Sequence, residues 1–222
     1  MSSTGVAEVE VVGRAALLQR PADARWLYVL AHGAGAGMRH PFMEEISRAL
    51  AERAVATLRW EFPYMAAGKA RPDAPAIAEA AVRAAWTAAA TLVPELPRFA
   101  GGKSFGGRMT SRAHAAEALP ELRGLAFLGF PLHPPDKPGI ERAEHLAAAR
   151  GPLLFLQGTR DELAPLPRLR PVVAKLGRRA KLHVVDGADH GFDVLVRSRR
   201  THAEVMAELA STIAAWMKRI TR

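Results

Sequence analysis

Short, largely apolar runs alternate with longer stretches of helical periodicity along nearly the whole chain, and this alternation restricts the fold more than any other feature. Residues 26–31 (WLYVLA), 55–60, 98–101, 125–129, 153–158 and 181–185 form the runs. A strand with one solvent face alternates apolar and polar residues, whereas a continuous apolar run belongs to a strand buried on both faces, the usual state of a parallel strand. Segments 9–12 and 15–20 flank Gly13 as an opening hairpin. Helical periodicity occupies 42–53, 75–92, 106–118, 166–176 and 201–220, with a short piece near 143–148. The predicted fold class is therefore α/β, a mostly parallel central sheet sandwiched by helices. No repeat, low-complexity tract or interdomain linker interrupts residues 1–222, which are read as a single domain.

Two helix starts carry local signals. Thr201 and Glu204 have the spacing of a capping box, and Val205, Leu209, Ile213 and Trp216 follow on one face. Asp73, just before Pro75, is the expected cap of the helix over 75–92.

Gly102-Lys103-Ser104-Phe105-Gly106 lies between an apolar run and a helical pattern, so this G-x-S-x-G sits at a strand-to-helix turn, the context in which it presents a nucleophile. A serine hydroxyl is a weak nucleophile at neutral pH and needs a base and an orienting acid. Both follow: Asp161 after the run 153–158, and His190 after the run 181–185. In an open parallel sheet those loops leave the same edge as Ser104. His190 is assigned as the base and Asp161 as the acid that fixes its tautomer. Glu162 ranks second as the acid and Asp189 third. For oxyanion donors, the loop His32-Gly33-Ala34-Gly35-Ala36-Gly37 after the run 26–31 supplies the Ala34 amide, and Phe105 supplies the amide after the nucleophile. His32, Gly33, Lys103, Phe62 and His133 are the candidate substrate-lining residues.

HGAG at 32–35, GKSFGGRM at 102–109, GFPLHPP at 129–135, GTRDE at 158–162 and ADHGF at 188–192 together resemble the α/β-hydrolase superfamily. More narrowly they resemble the small lidless dienelactone-hydrolase-like group, related to a hydrolase-like subunit of the animal non-specific-lethal chromatin complex. The order Ser104, Asp161, His190 is the superfamily's order. Dienelactone hydrolase itself uses a cysteine, which this chain lacks, so its substrate does not carry over. The resemblance implies a serine hydrolase that cleaves a carboxylic ester, thioester or lactone of a small-molecule acyl substrate, with no metal and no organic cofactor. The loop from Gly129 to the piece near Ala143 is too short for a cap domain. A non-catalytic interaction module on the same fold, or a peptidase or acyltransferase using the same triad, stays open on these residues alone.

Other readings fit less well. A phosphate-binding G-x-x-x-x-G-K-S would need glycine where Pro97 stands, and a G-x-G-x-x-G fingerprint would need it where Met38 stands. Histidines 114, 133, 145, 183 and 202 lack the spacing of a metal site. With no cysteine there is no thiol chemistry and no disulfide. The first residues lack a signal-peptide pattern and no apolar run reaches about 18 residues, so the expectation is no membrane span and a cytoplasmic location. The net charge is +9, with 31 basic residues. The arginines of the final third are not interleaved with aromatics, which argues against a nucleic-acid platform. Lys103 and Arg108 beside the elbow hint at an anionic substrate. Nothing in the sequence sets the oligomeric state.

Overall fold

The computed structural model describes residues 5–222. β1 (Val6–Val11) and β2 (Arg14–Gln19) form the antiparallel hairpin, its turn made by Val12 and Gly13 at positive φ. The chain continues through β3 (Trp26–Ala31), α1 (Pro41–Ala51), β4 (Val55–Trp60), α2 (Pro63–Ala66), α3 (Pro75–Leu92), β5 (Arg98–Lys103) and α4 (Phe105–Ala116). Then come β6 (Leu125–Leu128), a 3₁₀ segment (Glu141–Ala147), β7 (Leu153–Gly158), α5 (Leu166–Lys175), β8 (Ala180–Val185) and α6 (His202–Ile220). The strands form one sheet in the order β1-β2-β4-β3-β5-β6-β7-β8. β3 to β8 run parallel, and β1 and β2 extend the β4 edge antiparallel.

β3 explains the double burial. Leu27, Val29 and Ala31 point into the core under α3 and α4, with Val82, Trp86 and Met109. Trp26, Tyr28 and Leu30 point into the core under α1 and α6, with Ile46, Leu209 and Trp216. Both faces must therefore be apolar, and each fully buried Leu or Val contributes about 1.5–3 kcal/mol relative to an exposed one. After β3 the chain adds β4 on one side, then returns to place β5 on the other. A crevice opens at that reversal, outside the carboxyl ends of β3 and β5, the usual ligand position in such sheets. Register brings the strand ends level: Ala31 lies beside Gly102, Lys103 beside Leu128, and Gly158 beside Val185.

Several local expectations need correction. β5 runs two residues past Gly101. α2 is a short helix where the sequence pattern marks none, and the piece near 143–148 is a 3₁₀ segment instead of an α-helix. Asp73 does not cap α3, whose N-cap is Ala74 without a side-chain bond. Its Oδ2 instead accepts the Tyr64 N–H (2.9 Å) in the first turn of α2, because the chain between the two helices folds back. The capping box at Thr201 and Glu204 forms in full.

Candidate active site

Ser104 joins β5 to α4 with φ 48° and ψ −114°, a sparsely populated conformation for a residue with a side chain. Such a conformation costs about 1–3 kcal/mol and persists only when the surroundings enforce it. The enforcement is visible at its neighbours. A Cβ on Gly102 would lie 2.1 Å from the Ala31 carbonyl oxygen, and one on Gly106 would lie 2.5 Å from the oxygens of both Ala31 and His32. Only glycine lets β5 and α4 press this closely against β3. The Ser104 N–H donates to Leu128 O (3.0 Å), which leaves the side chain projecting into the crevice.

His190 Nε2 lies 2.9 Å from Ser104 Oγ, and His190 Nδ1 lies 2.7 Å from Asp161 Oδ2. Since the carboxylate can only accept, this network assigns the proton to Nδ1 and turns the Nε2 lone pair toward the serine hydroxyl. Asp161 is 2% exposed. Its Oδ1 accepts the Leu163 N–H (2.9 Å), and its Oδ2 also accepts from Gln157 Nε2. Gln157 Oε1 in turn accepts the Phe130 N–H (3.0 Å), so the amide can present only its NH₂ to the acid. Glu162 is exposed and outside this network. Asp189 serves the loop itself, its Oδ1 accepting the N–H groups of Gly191 (2.8 Å) and Asp193 (3.0 Å).

The same loop is anchored from beneath. Phe192, at φ 68°, is fully buried and stacks on Phe42 with centroids 5.9 Å apart. Lys103 Nζ lies 5.5 Å from the Phe42 ring and 5.3 Å from that of Phe192, and donates to the His190 carbonyl. Burial pushes the Lys103 ammonium down to about 8, against the opposing pull of Asp161, Asp189 and Asp193.

On the β3 side, the glycine loop is held by His32 and Tyr64. His32 Nδ1 donates to Gly33 O (2.7 Å) and its Nε2 accepts the Phe62 N–H (3.1 Å), which leaves the buried ring neutral, its pKa lowered mainly by desolvation. The Tyr64 hydroxyl accepts the Gly35 N–H (2.9 Å). Neither the Ala34 nor the Phe105 amide donates to a protein acceptor among the described residues, and both residues face the crevice. A cavity of about 790 Å³ fills this space, with Gly33, Lys103, Ser104 and His190 also on its walls.

Residues 24–218 match the family described as Alpha/beta hydrolase domain. The chain belongs to the α/β-hydrolase family. Its fold is similar to that of dienelactone hydrolase from Anabaena variabilis (17% identity, 98% of each chain covered, TM-score 0.74). It is also similar to a Thermus thermophilus protein (21% identity, 97% of each chain, TM-score 0.70). A Xanthomonas campestris α/β serine hydrolase described as lacking a lid superposes with TM-score 0.68 at 17% identity, over 96% of this chain and 94% of its own. Among the described residues of this α/β-hydrolase chain, β6 and β7 are joined by a loop holding only the 3₁₀ segment, with no cap domain.

Three expected lining residues of this α/β-hydrolase chain lie elsewhere. His32 and Phe62 are fully buried behind the glycine loop, where their mutual hydrogen bond joins the ends of β3 and β4. His133 is 4% exposed and its Nδ1 is bound to Pro134 O (2.8 Å), so the proline turn folds it inward. The walls that sequence reading missed come from α1 (Pro41, Phe42, Glu45), the start of α6 (His202) and the 3₁₀ segment (Arg142). No periodicity or motif marks these residues; only the packing of α1 and α6 across the sheet brings them to the crevice. Gln157 was equally hidden, as one polar residue at the end of an apolar run.

Proposed function

We propose that this chain is a serine hydrolase that cleaves a carboxylic ester, thioester or lactone through an acyl-Ser104 intermediate. The carrying observation is the unbroken sequence of contacts from Ser104 Oγ through His190 to Asp161, at 2.9 and 2.7 Å. As Oγ attacks the substrate carbonyl carbon, His190 Nε2 takes its proton, and Asp161 stabilises the imidazolium that forms. The carbonyl oxygen becomes an oxyanion, for which the Ala34 and Phe105 N–H groups are free donors. Loss of one such donor costs about 3–4 kcal/mol of transition-state stabilisation. Imidazolium then protonates the leaving alkoxide or thiolate and the acyl-serine remains. Water, deprotonated by His190, attacks the ester carbon, and collapse of the second tetrahedral intermediate returns the proton to Oγ and releases the acid. Every proton and bond in this cycle is handled by these groups, without a cofactor.

The cavity volume of about 790 Å³ suits a small organic molecule. The similarity in fold to a dienelactone hydrolase and to a lidless serine hydrolase supports the same reading. Labelling with a fluorophosphonate, read by intact mass and peptide mapping, tests it. Modification confined to Ser104 and abolished in Ser104→Ala and His190→Ala is expected, with ester turnover down by about 10⁴-fold or more in both variants. Unlabelled, folded parent protein, or undiminished turnover in Ser104→Ala, would overturn the proposal.

A further inference from the structure

The charged residues on the cavity wall divide into those with partners and those without. Glu45 Oε2 is 2.6 Å from His202 Nε2, and Asp193 Oδ1 is 3.3 Å from His202 Nδ1. Asp73 accepts the Tyr64 N–H, and Lys103 is spent on the His190 carbonyl. Arg108 and Arg142 differ: both line the cavity, and neither forms an ion pair among the described residues. Arg142 spends Nη1 on the His133 carbonyl (3.1 Å), and Arg108 lies over the Phe105 ring at 5.9 Å. The Arg108 Nε is buried with no acceptor.

These two guanidiniums also feel each other. Arg108 is pushed down to about 10, first by burial and next by the charges of Arg142 and Arg112, and burial lowers Arg142 as well. Arg112 has its own counterion in Glu79, at 2.6 Å. A half-buried cation beside a like charge is unfavourable, and a purely structural arginine is ordinarily paired with a carboxylate. Here every acid on the cavity wall is engaged elsewhere. The arrangement lacks one component, an anion, and guanidiniums are suited to hydrogen-bond a planar or tetrahedral oxyanion.

We propose that Arg108 and Arg142 form an oxyanion subsite, so that the substrate carries a carboxylate or phosphate group in addition to the bond that Ser104 attacks. The subsite stands on the arginines; its link to turnover rests on the serine-hydrolase reading above. Arg108 is one helical turn beyond the nucleophile, its N–H donating to Ser104 O (3.1 Å). An anion held there belongs to the same bound molecule as the scissile bond, separated from it by a short chain.

Two measurements separate the subsite from the chemistry. Calorimetric titration of the Ser104→Ala protein with glutarate, and separately with inorganic phosphate, reads anion binding without turnover. Binding of at least one is expected, weakened by about tenfold or more in Arg108→Gln and in Arg142→Gln and less in Arg108→Lys. The tighter of the two identifies the source of the oxyanion. In parallel, kcat/KM of the Ser104 protein is compared for the p-nitrophenyl ester of hemiglutarate and for the uncharged p-nitrophenyl valerate. Where glutarate binds, that ratio is expected to exceed about ten and to fall toward one in either glutamine variant. Glutarate or phosphate binding without hydrolysis of either ester would uphold the subsite and sink the hydrolase reading. Hydrolysis of both esters at equal rates, with neither anion bound, would overturn the subsite and leave the hydrolase reading intact.

Discussion

Ser104 and His190 stand 86 positions apart in the chain, yet their side chains meet at 2.9 Å. That meeting is anticipated by the sequence because Ser104, Asp161 and His190 lie one, three and five residues past the ends of strands of the parallel sheet, and parallel strands deliver their ends to one edge. The supporting residues are another matter. The Gln157 amide is turned toward Asp161 because β7 lies beside β6, and Phe130, two residues past the end of β6, supplies the N–H that orients it. Gln157→Leu would remove one donor from Asp161 and orphan the buried Phe130 N–H, for a loss of about 1–3 kcal/mol in stability by denaturant titration. Turnover is expected to fall further than stability explains, since Asp161 would keep only the Leu163 N–H to hold it against His190; unchanged turnover in a folded variant would contradict the positioning role. Lys103 offers a second test. With its ammonium pushed down to about 8, Lys103 is expected to be modified by an amine-selective reagent with a midpoint near pH 8, well below the ordinary lysine range. A Lys103 midpoint within that ordinary range would mean that burial does not govern this group.

At the scale of elements, the strands from β3 onward were legible to within two residues because their apolar runs are continuous, and α6 because its capping box is local. The exceptions share a physical reason. The run 98–101 ends at Gly101 because glycine weakens strands, which leaves Gly102 and Lys103 outside it. β5 nevertheless continues through Gly102, because Ala126 O and Ala31 O on the flanking strands leave no room for a Cβ on Gly101 or Gly102. α2 spans four residues and lies below the reach of periodicity, and the reassignment of Asp73 depends on α2 existing. The strand order was not legible at all, for pairing is a non-local choice. The junction of β5, α4 and β3 is also where a small change should act strongly. Gly106→Ala places a methyl against two backbone carbonyls at 2.5 Å, neither of which can rotate away as a side chain would. Overpacking of this kind costs typically about 1–3 kcal/mol, and here α4 would be displaced together with Ser104. The expected result is a lowered denaturation midpoint with a disproportionate loss of fluorophosphonate labelling. Wild-type labelling by Gly106→Ala would show that the elbow tolerates a wider spacing.

For the molecule as a whole, acid should be the destabilising direction, and the cause can be separated from its net charge. His32 after β3, His114 in α4 and His145 in the 3₁₀ segment all have lowered pKa values, in each case chiefly through burial, and His145 is brought to about 4. Between pH 6.5 and about 4 the unfolded chain therefore binds protons that the folded chain refuses, so stability falls as pH falls through that window. The carboxylates of Glu204 and Glu208 are lowered too, Glu204 by the Thr201 cap and Glu208, against the opposing effect of its own desolvation, by His183 with Arg200, and they add a loss that begins only below about pH 4.5. A chain of net charge +9 also gains repulsion as histidines charge, which pushes the same way. Salt distinguishes the two, because it screens exposed charges at a Debye length of about 3 Å in 1 M salt but does not restore hydration to a buried imidazolium. Urea midpoints are therefore expected to fall from pH 7 to pH 5 at low and at high salt alike. His145→Gln should flatten that fall, because the substituted side chain can still bond Ser111, which His145 Nε2 meets at 2.7 Å, yet takes up no proton. A fall that vanishes in 1 M salt would assign the acid sensitivity to surface repulsion and remove the buried histidines from the account.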